Sequence, residues 1–401
     1  MRIFVLGNIS SGKSYLIEKL KKVLPNYKIL KIDEYRINNC DGSLESELKM
    51  WNEFPHEVLK YNDVIIELTG AGDIANNVID SLEENSFLVL KVNTNVNKCI
   101  ERSKDKDFSH IPYPKEFNQP IEETIKQLGE KFSNGSIDSS WSKALNIIEV
   151  QNDIDIDKIP LMQYHLLFKV KEELDKYRGS LFLFGSAGRG KMSDTSDVDI
   201  YFLTDTGKEE IFDKLQQIFH EARMMANEII IRENGILLEL YCISNIEEAH
   251  LFYNRSLISK PAKTILKDDL NITTKLEEMA EEEFDKIAEI KFTMERLSYY
   301  VESLPTLIKK NDEYKYYFHN NIIVHEFVKL RAFLKGMFDF SYLPLQAKQY
   351  LTDDEWTNIF YMFGDDMVQH YEMVRIMSTK LIDQVKKEYD LRQSDMDSRK
   401  S

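Results

Sequence analysis

The chain has 401 residues, 43% hydrophobic and 30% charged, enough apolar material for two or three domains at about 150 residues each. Its 68 acidic residues against 52 basic ones leave a net charge of −16, which disfavours a nucleic-acid or anionic-membrane binder and suits a cationic partner. Cys40, Cys99 and Cys242 stand far apart, which excludes a disulfide framework or a zinc ribbon. No apolar run nears the roughly 18 residues of a membrane span, and the apolar opening stops at Gly7, so a cytoplasmic protein without a membrane partner is expected.

Residues 1–156 alternate short apolar runs, at 3–6, 28–32, 63–68, 87–92 and 145–150, with amphipathic stretches. Strands spaced by helices predict an α/β domain, a parallel sheet with flanking helices. After the first strand comes Gly7-Asn8-Ile9-Ser10-Ser11-Gly12-Lys13-Ser14, and a helical pattern follows it. Backbone N–H groups of such a loop converge on phosphate oxygens, and the helix N-terminus adds partial positive charge. Lys13 is then expected on the β- and γ-phosphates and Ser14 on Mg²⁺.

These residues resemble the P-loop kinases of small molecules over about 150 residues. The resemblance implies that Gly7, Ser11, Gly12, Lys13 and Ser14 bind ATP, and that Asp33 serves as substrate ligand or base. It further implies Glu67 as a metal-side acid, Thr69-Gly70-Ala71-Gly72 along the substrate, and Arg102 as a lid arginine on the nucleotide. The lid reads Arg102, Lys104, Lys106 rather than an arginine pair, and no family-specific substrate motif accompanies it.

The acidic stretch 151–158 marks a boundary, and residues 157–270 predict a smaller α+β domain. Its strands fall at 180–184, 198–203, 228–232 and 236–243, with a helix over 208–226 and an Asn234-Gly235 hairpin turn. An apolar strand ends in Gly185-Ser186, and Asp197-Val198-Asp199 opens the next one. Alternate residues of a strand share a face, so both carboxylates can hold Mg²⁺. Glu239 is a lone charge in the apolar run 236–241, the place where a superfamily that draws a third carboxylate from a later strand, as metal ligand or general base, would carry it.

Gly185-Ser186, the gap, and Asp197-x-Asp199 resemble the signature of the DNA polymerase beta superfamily of nucleotidyltransferases. What that implies is in-line transfer of NMP from an NTP, with Gly185, Ser186, Arg189 and Lys191 on the triphosphate. Arg255, Lys260 and Lys263 are further candidates for that contact.

Residues 271–395 carry apolar positions at three- and four-residue steps, from Leu276 through Leu297, over 316–337 and over 352–387, which predicts an all-α bundle. A compact transferase followed by a bundle is similar to the antibiotic nucleotidyltransferases, where the bundle forms the far wall of the acceptor site. His319, His325 and His370 have no Arg at the spacing of a helical ribonuclease toxin, so packing roles are expected for them.

Two functions stand open at this stage. One is transfer of NMP to a hydroxyl of a small, cationic acceptor of the aminoglycoside or lincosamide kind or another metabolite, with a fused kinase. The other is a regulatory or defence protein that nucleotidylates a protein or RNA end, with the P-loop as nucleotide sensor. Either a monomer or a homodimer is compatible with the sequence.

Overall fold

The computed structural model describes residues 1–117, 119–151, 156–225, 228–249, 264–281, 285–338, 348, 350–360 and 367–391. They fall into two compact units, one holding the described residues up to Leu276 and the other those beyond it. Arg255, Lys260 and Lys263 lie outside the described residues, as do Glu282, Glu283 and the 392–401 tail.

The first unit opens with five parallel strands, β1 (Arg2–Gly7), β2 (Lys28–Lys31), β3 (Val64–Leu68), β4 (Phe87–Val92) and β5 (Asn146–Val150), in the order β2-β3-β1-β4-β5. Both faces of β1 are covered: Ile3 and Val5 enter one apolar core, Phe4 and Leu6 another. A strand buried on both sides must be apolar without alternation, which is why 3–6 reads as a plain hydrophobic run. Around the sheet stand α1 (Lys13–Val23), α2 (Ile32–Asn39), α3 (Leu44–Leu59), α4 (Asp73–Asp80), α5 (Val96–Ser103), α6 (Ile121–Ser133) and α7 (Ser136–Ser140). The chain leaves β1 toward β2 and leaves β4 toward β5, so a crevice opens between the carboxyl ends of β1 and β4.

A second, mixed sheet follows α8 (Leu161–Leu174). Its strands β6 (Ser180–Leu183), β7 (Val198–Leu203), β8 (Ala222–Met224), β9 (Ile229–Glu233), β10 (Ile236–Ile243) and β11 (Ile265–Asp268) lie in the order β11-β6-β7-β10-β9-β8. Two short helices, α9 (Gly185–Gly188) and α10 (Lys208–Ile218), complete it. The β9–β10 turn has φ 52° at Asn234 and 81° at Gly235, the two left-handed residues a tight hairpin needs.

Two elements depart from expectation. The helix predicted over 208–226 stops at Ile218, because its buried stripe ends with Ile211 and Leu215, and Ala222–Met224 pairs with β9 instead. The strand β11 has no apolar alternation of its own; it is held on β6, where Ser180 Oγ donates to Asp268 Oδ1 at 2.9 Å. The two sheets share one core, in which Val92 and Val150 meet Leu161, Tyr164, Leu181 and Val198. Asn85 Nδ2 donates to the Ile265 carbonyl at 2.7 Å, and Asn146 Nδ2 to Tyr164 Oη at 2.8 Å.

The second unit is helical, with α11 (Ile272–Glu281) leading into it, then α12 (Lys286–Lys310), α13 (Glu313–Leu334), α14 (Asp353–Phe360) and α15 (Met367–Glu388). Asn311 at φ 54° closes α12 and folds α13 back against it. Leu297, Leu304, Phe327, Phe333 and Leu381 centre the core. His319 Nδ1 lies 2.7 Å from Ser303 Oγ and His370 Nδ1 lies 2.7 Å from Tyr316 Oη.

Candidate active sites

The loop after β1 is shaped by its own polar groups. Gly7 ends the strand, Gly12 precedes α1 at φ 105°, and Ser10 has φ 59°. Asn8 Nδ2 donates to the Ile125 carbonyl at 2.7 Å, and Thr94 Oγ1, just past β4, donates to the Ser11 carbonyl at 2.8 Å. The loop is thus pinned over the crevice from the α6 side and the β4 side. Lys13 Nζ donates to the carbonyls of Gly7 and Asn8, each at 3.0 Å. Burial lowers the Lys13 ammonium from its ordinary value, and the carboxylates of Glu67 and Asp33 oppose that shift. Ser10 Oγ and Ser11 Oγ are buried without a hydrogen-bond partner among the described residues, donors that a phosphate would satisfy.

Ser14 Oγ donates to both Glu67 oxygens, at 3.2 and 3.4 Å. A hydroxyl and a carboxylate converging at the foot of a phosphate loop form the oxygen set that Mg²⁺ takes together with substrate phosphates. Arg102, Lys104 and Lys106 are exposed at and beyond the end of α5, and the charge of Lys106 reaches Lys13.

Asp33 opens α2 beside this loop and is not isolated. Arg36 NH1 donates to Asp33 Oδ1 at 2.7 Å, and Tyr113 Oη donates to the same oxygen at 3.1 Å. The other side of the Arg36 guanidinium is gripped by Glu47 of α3, at 3.0 Å from both Nε and NH2. Trp51 Nε1 donates to Glu47 Oε1 at 2.7 Å. Of these, sequence reasoning found Asp33 alone. The Asp33–Arg36 spacing of three on a helix was a readable signal, whereas Glu47 and Tyr113 arrive from other elements.

In the second sheet, β6 ends against α9, Asp197 stands just before β7 and Asp199 lies within it. Gly185 sits at φ 62°, and a Cβ there would fall 1.8 Å from Asp199 Oδ2. Only glycine permits that approach. Parallel pairing of β7 and β10 sets Glu239 opposite Asp199. Burial first, then the charges of Asp197 and Glu239, push the Asp199 carboxyl up to about 7 against the opposing charge of Arg189. Burial likewise raises Glu239, opposed by the hydrogen bond that Tyr241 Oη donates to its Oε2 at 3.1 Å, with Glu228 and Asp197 adding to the rise.

Ser186 Oγ is buried without a hydrogen-bond partner among the described residues, while the Lys191 side chain is exposed and its N–H closes the loop on the Ser186 carbonyl at 3.0 Å. A cleft of about 290 Å³ opens beside Asp197, lined by Asp194, Ser196, Gly235, Ile236 and Leu237.

Mg²⁺ can be tested against these residues. Among the described residues no three His, Cys, Asp or Glu side chains converge as a ready-made metal cage. Mg²⁺ does not require one, since it is commonly held by one or two carboxylates with phosphate oxygens and waters completing the shell. Asp197 and Asp199, whose charges repel, fit that role, and the bare Gly185 backbone makes room for the Asp199 carboxylate.

Residues 167–325 match the nucleotidyltransferase domain family. No curated protein matches the chain. Among solved structures, shikimate kinase from Acinetobacter baumannii in complex with shikimate is 14% identical with a TM-score of 0.29, over 43% of this chain and 94% of that one. Deoxyadenosine kinase from M. mycoides with bound dATP is also 14% identical, TM-score 0.27, over 43% of this chain and 99% of its own. A nucleotidyltransferase-like protein from Exiguobacterium sibiricum is 13% identical, TM-score 0.31, over 56% of this chain and 74% of its own. Residues 167–325 are thus similar to the nucleotidyltransferase domain family, and a five-stranded parallel sheet precedes them.

Proposed function

We propose that the protein is a Mg²⁺-dependent nucleotidyltransferase that moves NMP from an NTP to a hydroxyl of a small molecule, and that its N-terminal domain is an ATP-dependent small-molecule kinase. The observation that carries the first part is the approach of Gly185 to Asp199, which joins the phosphate-side turn to the acid pair. Ser186 Oγ and the Arg189 guanidinium hold the triphosphate, with Lys191 at the rim. Asp197 and Asp199 hold Mg²⁺, which when bound polarises the α-phosphate. Glu239 takes the proton of the acceptor hydroxyl; the acceptor oxygen bonds to the α-phosphorus as the bond to the β-phosphate bridge breaks, and pyrophosphate leaves. Asp194 beside the cleft favours a cationic acceptor.

In the kinase half, Lys13 and the loop N–H groups hold the β- and γ-phosphates, and Ser14 with Glu67 would hold the metal. Asp33 accepts the acceptor's proton as its oxygen bonds to the γ-phosphorus and ADP leaves. Both reactions belong to the cytoplasm, where ATP and Mg²⁺ are at hand.

The test is incubation with ATP labelled at either the α- or the γ-phosphate, Mg²⁺, and a panel of aminoglycosides, lincosamides, nucleosides and sugars. Alpha label on a small molecule with pyrophosphate release is the expected result, and gamma label on a small molecule supports the kinase half. Alpha label on protein or RNA alone would replace this reading with a regulatory one.

A further inference from the structure

The acceptor side of the P-loop domain has a charge balance and a set of rings that select its ligand. Arg36 stands at the centre of that side, and it is 6% exposed. Its Nε and NH2 bond Glu47, its NH1 bonds Asp33, and its face lies 4.4 Å from the Tyr113 ring centroid. One guanidinium held by two carboxylates leaves the group with a net negative charge. An anionic ligand would have to displace Glu47, whose side chain is 2% exposed, and leave that carboxylate buried without its cation.

The rings say what does fit. The segment between α5 and α6 brings Tyr113 and Phe117 over this group, and both keep more than two fifths of their surface exposed, at 46% and 43%. Phe117 lies parallel to Trp51, with centroids 5.7 Å apart and planes 9° apart. Tyr113 presents to Asp33 a hydroxyl attached to a flat ring. The protein's own side chains thus display the contacts a ligand would make: an O–H donated to Asp33 and a planar ring lying on Trp51.

We infer that the face built by Asp33, Trp51, Tyr113 and Phe117 binds an uncharged, hydroxyl-bearing ligand with a planar ring, the chemistry of a nucleoside, and excludes carboxylate-bearing and phosphorylated acceptors. The Tyr113 hydroxyl and the Phe117 ring hold the places of the ligand's hydroxyl and ring, and they move aside when it binds. This deepens the kinase reading of the P-loop domain and rests on Asp33 facing the acceptor.

The experiment is isothermal titration of the full-length protein, saturated with Mg²⁺ and the β,γ-imido analogue of ATP, with the four deoxynucleosides, their 5′-monophosphates and shikimate. The expected result is that at least one deoxynucleoside binds and that shikimate and the monophosphates do not. Stacking on Trp51 predicts that Trp51→Ala weakens the nucleoside about tenfold or more, whereas Trp51→Phe retains most of the affinity. Tyr113→Phe should tighten it, because Asp33 is then released from the phenol.

Shikimate or a monophosphate binding as tightly as the nucleosides would overturn the inference, and so would the absence of nucleoside binding. Equal affinity in Trp51→Ala and wild type would do the same. The Trp51→Phe and wild-type titrations decide the matter if Trp51→Ala does not fold. The two readings fail separately. Nucleoside binding without transfer of gamma label would refute the kinase and leave the ligand class standing; gamma transfer to a carboxylate-bearing acceptor would do the reverse.

Discussion

At Gly185 a single methyl group decides whether a site exists. The left-handed φ of 62° already disfavours a side chain by about 1–2 kcal/mol. The added Cβ would fall 1.8 Å from Asp199 Oδ2, so the acid must rotate out of place. Gly185→Ala is therefore expected to lower alpha-label transfer roughly a hundredfold, as misplacing a catalytic group by an ångström does, while ATP binding at the P-loop persists. Labelled-ATP assays beside equilibrium dialysis separate those effects; full activity in the variant would show that Asp199 is not the metal-side acid. Replacing both Asp197 and Asp199 by Asn removes the proposed ligands outright, and a loss of at least about a hundredfold in transfer is expected.

Elements set the context in which these residues act. The β7–β10 pairing places Glu239 across from Asp199, and neither strand alone could do so. In the helical unit, α12 and α13 enclose Glu326, which is fully buried, 3.4 Å from Arg296 Nε and 3.9 Å from Lys329 Nζ. Burial pushes this carboxyl up; Lys329 and Arg296 oppose the rise, and Glu289 adds to it. Because the folded-state value lies above the ordinary 4.5, the folded chain holds a proton that the unfolded chain has lost. Stability therefore falls as pH rises from about 4.5 toward the folded-state value. Glu326→Gln should flatten that slope, because the amide takes up no proton between pH 4.5 and 7.5. Thermal melts of both proteins between pH 4.5 and 7.5 check this; an equal slope in the variant would mean that Glu326 is not its source.

At the scale of the whole molecule, the two proposed nucleotide sites lie in one compact unit with a shared apolar core. Their chemistry is nonetheless separable, since no residue proposed for one site is proposed for the other. Lys13→Ala should weaken ATP binding at the P-loop about tenfold or more, given the loss of a charge-assisted phosphate contact, with alpha-label transfer unchanged. If instead Lys13→Ala also abolishes alpha transfer, the two sites are coupled through their shared core. No described helix is long and apolar enough to cross a membrane.

The sequence by itself determined the elements whose signals are local. The strand, phosphate loop and helix at 2–23 and the Asn234-Gly235 hairpin are set by backbone sterics and periodicities of a few residues, whereas the strand expected to carry both Asp197 and Asp199 begins only at Val198. Strand β11 and the shortened α10 were not legible, because their conformation is decided by pairing with strands far away in the chain. The same division runs through the sites. The phosphate-binding residues lie together in sequence, since one turn of backbone must wrap a phosphate. The group around Asp33 joins Asp33 and Arg36 of α2 to Glu47 and Trp51 of α3 and to Tyr113, and a charge pair or a ring contact between elements depends on distance in space. Only the tertiary structure brought those side chains within bonding distance, and with them the charge balance around Asp33.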